Sequence, residues 1–183
     1  PVISNSGTLN LKSGTIVSNT YRAISQPQSG DAYKLNITGG EVKITGSATK
    51  AIWGGTTTLD GGKITVDNVT GSGTAVGGNF ILKSGTISVR AAGTAYGVED
   101  YYYDGHADCG SVSIQGGLID VQSTSGSATG VVCAAVTVTD GNISAVSNAS
   151  SAYGIRDSSV YVYGGTITAH GKGETWGIGQ YTV

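Results

Sequence analysis

The sequence predicts an all-β fold, a right-handed parallel β-helix (β-solenoid) of about seven coils of ~24 residues with three short strands in each. Three observations carry that expectation. Gly accounts for 31 of 183 residues, Met is absent and Pro occurs twice, while 38% of the chain is hydrophobic. Much of that fraction is Val and Ile, which with Thr fit a pleated surface, so strands and turns are expected rather than disorder. One phrase recurs along the chain: "LNLKSGTIVS", "LNITGGEVKI", "TTLDGGKITV", "FILKSGTISV", "VSIQGGLIDV", "VTVTDGNISA" and "VYVYGGTITA". A second phrase follows each copy: "YRAIS", "TKAIW", "GTAVG", "AYGVE", "ATGVV", "AYGIR" and "TWGIG".

The elements follow from these phrases in order. The first phrase is an apolar alternation, a turn ending in Gly, and another alternation, which reads as two strands about a corner. Its turn glycines are Gly14, Gly40, Gly62, Gly85, Gly117, Gly141 and Gly165. They are expected to hold positive φ, which a Cβ obstructs. The second phrase has a small residue followed by Ile or Val and supplies the third strand. A single coil has no partner for its backbone or its apolar side, so successive coils must stack, equivalent residue over equivalent residue, about 4.8 Å apart. Right-handed winding follows the general preference of parallel crossovers.

Three inward columns are expected. They are Leu11, Ile37, Leu59, Leu82, Ile114, Val138 and Val162 on the first strand, and Ile16, Val42, Ile64, Ile87, Ile119, Ile143 and Ile167 on the second. The third holds Ile24, Ile52, Val76, Val98, Val131, Ile155 and Ile178. Residues 1–183 then form a single solenoid domain, a length that suits one core rather than two.

At this point the chain resembles the Gly/Thr-rich right-handed β-solenoid repeats of bacterial cell-surface proteins, through units such as "GGTITAHGKGETWGIG". The resemblance covers essentially the whole chain and is specific for fold. It implies an extracellular or cell-surface bacterial setting and the roles of that class: adhesins, stalks, and glycan-binding or glycan-processing modules.

Two connections exceed the basic spacing, "QPQSGDAY" at 26–33 and "EDYYYDGHADCG" at 99–110, and both leave the same corner two coils apart. Loops on rigid scaffolds often carry function. Tyr101, Tyr102 and Tyr103 offer apolar faces with polar edges, suited to sugar rings or to covering a corner of the core. Asp100, Asp104, His106 and Asp108 bear oxygen and nitrogen donors, and Asp104 with Asp108 are the weak candidates for Ca²⁺. Their spacing follows no established ligand pattern, and a solvated acidic loop is the preferred reading, so no cofactor is assigned. Aligning "CGSVSIQGG" with "CAAVTVTDG" puts Cys109 and Cys133 in one column of adjacent coils, inside disulfide reach, and predicts a Cys109–Cys133 bridge in an oxidising compartment. A pair of buried free thiols is the alternative.

On the third strand, the residue before the small one runs Arg22, Lys50, Thr74, Tyr96, Thr129, Tyr153 and Trp176, a column expected to face outward. Tyr96, Tyr153 and Trp176 along one edge suit contact with an extended polysaccharide, or serve to shield a corner where Ala and Gly leave backbone bare.

A net charge of −2 with 12% charged residues gives no electrostatic footprint for nucleic acid. No apolar run is long enough for a membrane-spanning helix, so membrane insertion is not expected, and the start, "PVISNSGT", lacks the pattern of a secretory signal. A polysaccharide lyase or hydrolase on this fold needs converging carboxylates, or carboxylates with Arg or Lys. Asp67 and Arg90 instead read as a surface ion pair one coil apart, with Asp120 standing apart from both. Ice binding needs flat Thr arrays, which charges and aromatics interrupt here, so it is a minor possibility. The triplets at Asn36, Asn68, Asn142 and Asn148 match glycosylation acceptors, a match expected by chance in this composition. The chain stops at "GIGQYTV" still in repeat, which suits either a fragment of a longer protein or end-to-end self-association into a filament. The functional expectation is a non-enzymatic extracellular structural and adhesive module whose partner is a host or environmental glycan or a surface protein.

Overall fold

Pairing between coils, all of it parallel, organises the chain. The computed structural model describes residues 1–27, 32–99, 102–103, 106–107, 110–156 and 159–179, and of residues 68–69, 102–103 and 106–107 it describes the backbone alone. Strands stack as a β-solenoid of about seven turns that repeat about every 24 residues. The single antiparallel pair among the described residues joins Tyr102–Tyr103 to His106–Ala107.

All three expected columns are in register. Leu11 pairs with Ile37, and the series continues through Leu59, Leu82, Ile114 and Val138 to Val162. Ile16 leads through Val42, Ile64, Ile87, Ile119 and Ile143 to Ile167. Ile24 leads through Ile52, Val76, Val98, Val131 and Ile155 to Ile178. Interior members such as Leu59, Ile64, Leu82, Ile87, Ile114 and Ile119 are completely buried. Each such aliphatic contributes roughly 1.5–3 kcal/mol of transfer free energy.

The core is wider than three columns. Two more face inward: Leu9, Leu35, Thr57, Phe80, Val112, Val136 and Val160 on the first strand, and Ser18, Ile44, Val66, Val89, Val121, Ala145 and Ala169 on the second. Alternation requires this, since residues two apart on a strand share a face. Thr57 is the exception in its column. It is fully buried between Leu35 and Phe80, and its hydroxyl has no hydrogen-bond partner.

The seven turn glycines all have positive φ, from +76° at Gly40 to +99° at Gly141. The corners do not always interrupt pairing, so the expected short strands fuse in the middle of the solenoid. Lys50–Val69 and Gly73–Ala91 are continuous strands that pass through all three faces.

The corner leading into the third strand is held by buried serines. The Ser123 hydroxyl accepts from the Gly126 amide (2.9 Å) and donates to the Gly93 carbonyl of the preceding coil (2.6 Å). Ser147 repeats the arrangement with the Ser150 amide (2.9 Å) and the Gly126 carbonyl (2.7 Å). Each hydroxyl thus closes a local turn and ties it to its neighbour, which fixes where the third face begins.

Candidate functional site: the outer face of the third strand

The third strand has a four-residue logic of outward, small, aliphatic, outward. The small residue points into the interior, where little room is left. A Cβ on Gly97 would lie 2.6 Å from Ile119 Cγ2, and one on Gly154 would lie 2.3 Å from Ile167 Cγ2. The second strand's isoleucine column therefore excludes a larger side chain there, and the two outward positions carry whatever this face displays.

The first outward column is continuous in register from Lys50 through Thr74, Tyr96, Thr129 and Tyr153 to Trp176. Arg22 stands beside Lys50, because the following residue, Ala23, donates its amide to the Ala51 carbonyl (3.1 Å). Tyr96, Tyr153 and Trp176 are thus brought onto one face, as expected. Trp176 is 53% exposed, whereas Thr74 and Thr129 are buried.

A second outward column lies beside it: Ser25, Trp53, Gly77 and Glu99, then Val132, Arg156 and Gly179. Sequence reasoning took no account of it. Trp53, outward by position, is only 2% exposed. Its ring lies across Gly77 of the next coil, where a Cβ would sit 2.7 Å from the indole. The missing signal was the pairing of a large residue with Gly at equivalent positions, "AIWG" above "AVGG", which is readable once the register is known.

Charge gathers around this indole. The Arg22 guanidinium carbon lies 4.3 Å from the Trp53 ring centroid and the Lys50 ammonium 4.2 Å from it, and Arg22 is also 5.4 Å from the Tyr21 ring. Such contacts are attractive because the ring face is electron-rich. Glu99 neutralises Lys50, accepting on one oxygen from the Lys50 ammonium (3.0 Å) and from the Thr74 hydroxyl (2.7 Å). Two coils further on, Arg156 lies over the Tyr153 ring (4.9 Å), and the Tyr153 hydroxyl donates to Glu174 (3.1 Å). Tyr153 is consequently fixed in orientation, with Arg156 on one face, while Trp176 presents its indole to solvent.

The remaining expected residues fall as follows. Tyr101, Asp104, Asp108 and Cys109 lie outside the described residues, as does Asp100. Tyr102 and Tyr103 are described as backbone, in the small hairpin with His106–Ala107. The intervening Asp104-Gly105 is the composition that favours two-residue hairpin connections, a signal the sequence reading passed over. Cys133 is 2% exposed and packs in the core. Among the described residues no group of three His, Cys, Asp or Glu side chains is placed to hold a metal ion.

One expectation is corrected. Asp67 and Arg90 do not pair: Arg90 bonds Asp120 (2.5 Å), and Asp67 lies 3.4 Å from Lys43. Val66 and Val69 pair with Val89 and Ala91, so the earlier coil holds one extra residue in this interval, which displaces Asp67 from the Arg90 column. Arg90 instead reaches diagonally to Asp120, whose direct register partner is Ser88.

No family model, curated protein or solved structure matches the chain.

Proposed function

We propose that this chain is a non-enzymatic extracellular module of bacterial cell-surface type, a rigid spacer that contacts a glycan along the outer face of its third strand. The carrying observation is the half-exposed Trp176 indole, in register with Tyr153 on the preceding coil and with Tyr96 further along the same column. An amphipathic ring in a fixed orientation stacks on a sugar with little ordering cost. Coils about 4.8 Å apart repeat on the scale of one sugar unit, so a polysaccharide lying along the axis meets this face at successive residues.

Of the described carboxylates, Glu41, Asp60, Asp67, Glu99, Asp120 and Glu174 are each engaged by a hydroxyl or a cation of the same fold, and Asp140 accepts from the Gly141 amide. A Cys109–Cys133 disulfide belongs to the same proposal. It ties the base of the Tyr-rich insertion to the following coil and suits an oxidising environment outside the cell.

A glycan array probed with the native chain and with a Tyr96, Tyr153, Trp176 to Ala variant tests the reading. Binding that disappears in the variant is expected. Binding to no glycan, or binding unchanged by the triple replacement, would leave a purely structural module.

A further inference from the structure

Arg22 differs from the other cations of this face. Lys50 is matched by Glu99, and Arg156 is seated on Tyr153. The Arg22 guanidinium rests on Trp53, yet among the described residues no carboxylate, carbonyl or hydroxyl accepts from it. A guanidinium carries five donors in a planar fork matched to carboxylate geometry. Leaving that fork without an acceptor while the side chain is held against a buried indole is the arrangement of an anion dock rather than of a solvated surface arginine. Trp53 supplies the rigidity: it is 2% exposed and packed over Gly77. Lys50, 4.2 Å from the same ring, adds positive potential beside the fork.

Resting on the glycan reading above, we infer that the polymer this face takes is an acidic polysaccharide, one of whose carboxylates is received by the Arg22 guanidinium. Arg22 and Trp176 lie at opposite ends of one outward row, six coil steps or about 29 Å apart. A sugar chain along the row meets a charged post at one end and an apolar platform at the other. The outward positions of this strand bear Arg22, Lys50 and Arg156 against Glu99, a positive balance on a chain whose net charge is −2. Nucleic acid is not favoured as the occupant, because its phosphates would demand a row of unpaired cations and among the described residues this face offers Arg22 alone.

Titration calorimetry with oligogalacturonate, and with the same oligomer after reduction of its carboxyls to primary alcohols, tests the inference. The native chain is expected to prefer the acidic form by about tenfold, as one charge-assisted fork requires. Arg22→Gln should abolish that preference. A preference that survives in folded Arg22→Gln overturns the dock. Where that variant lowers the thermal midpoint, Arg22→Lys carries the test, since it keeps the charge but not the fork; an undiminished preference again overturns the proposal. Equal binding of both oligomers that is lost in Trp176→Ala refutes the acidic ligand and retains the contact row. Binding to neither oligomer, together with a blank glycan array, removes both.

Discussion

Ile143 closes on Gly130 across the interior of the solenoid: a Cβ added to Gly130 would lie 2.4 Å from Ile143 Cγ2 and 2.4 Å from the Gly154 carbonyl oxygen. One contact is with a packed side chain and the other with backbone, so neither can yield cheaply. Gly130→Ala is expected to destabilise by about 3 kcal/mol through overpacking. Gly7→Ala, with nothing within 4 Å of the new Cβ, serves as the control and should leave stability nearly unchanged. Urea unfolding of the two variants gives the comparison, and equal midpoints would refute the packing account.

Thr57 provides a change in the opposite direction. Its hydroxyl is buried and unpartnered between Leu35 and Phe80. Thr57→Val keeps the shape and removes the desolvated oxygen, with an expected gain of about 1–2 kcal/mol. The urea midpoint should rise with no change in slope. A fall would show that the hydroxyl is satisfied in solution.

The surface charges allow a test of register. A double-mutant cycle between Arg90 and Asp120 should show coupling of about 0.2–1 kcal/mol, as partly exposed pairs do, and the coupling should shrink as salt is added. The cycle between Arg90 and Asp67 should show none. Coupling of Arg90 to Asp67 in place of Asp120 would restore the pairing first read from the sequence.

The proposed Cys109–Cys133 bridge is tested by intact mass under denaturing conditions, where the oxidised chain is expected to lack two hydrogens and to take no thiol reagent. Reduction, or replacement of both residues by Ser, should cost about 3 kcal/mol for a loop of this length. Two reactive thiols after aerobic purification would exclude the bridge.

How far the sequence revealed this structure differs between its two levels. The repeat was legible because stacking enforces it: every inward column must remain apolar, and each corner glycine must keep a φ that other residues avoid. Thus Ile64, Ile87 and Gly62 were placed from letters alone. The outward row from Lys50 to Trp176 was legible for the same reason, as it inherits the register of the core. Contacts between outward side chains were not. Asp67 missed Arg90 because one extra residue between Val66 and Val69 shifts the alternation locally, and the apolar pattern hardly registers such a shift. Trp53 went unassigned in the sequence because the space its ring fills is the missing side chain of Gly77 on the next coil. Surface chemistry depends on diagonal neighbours, and column alignment records only vertical ones.

The fused strands Lys50–Val69 and Gly73–Ala91 bear on how this protein can vary. Each layer buries its interior against the layers above and below, while a link across two steps such as Lys50–Glu99 lies outside that interior, so a whole repeat can be duplicated or lost by recombination without the design of a new interior. Every such event changes the reach of the molecule by one step of about 4.8 Å. The architecture is in effect a ruler whose graduations evolution can add or erase one at a time.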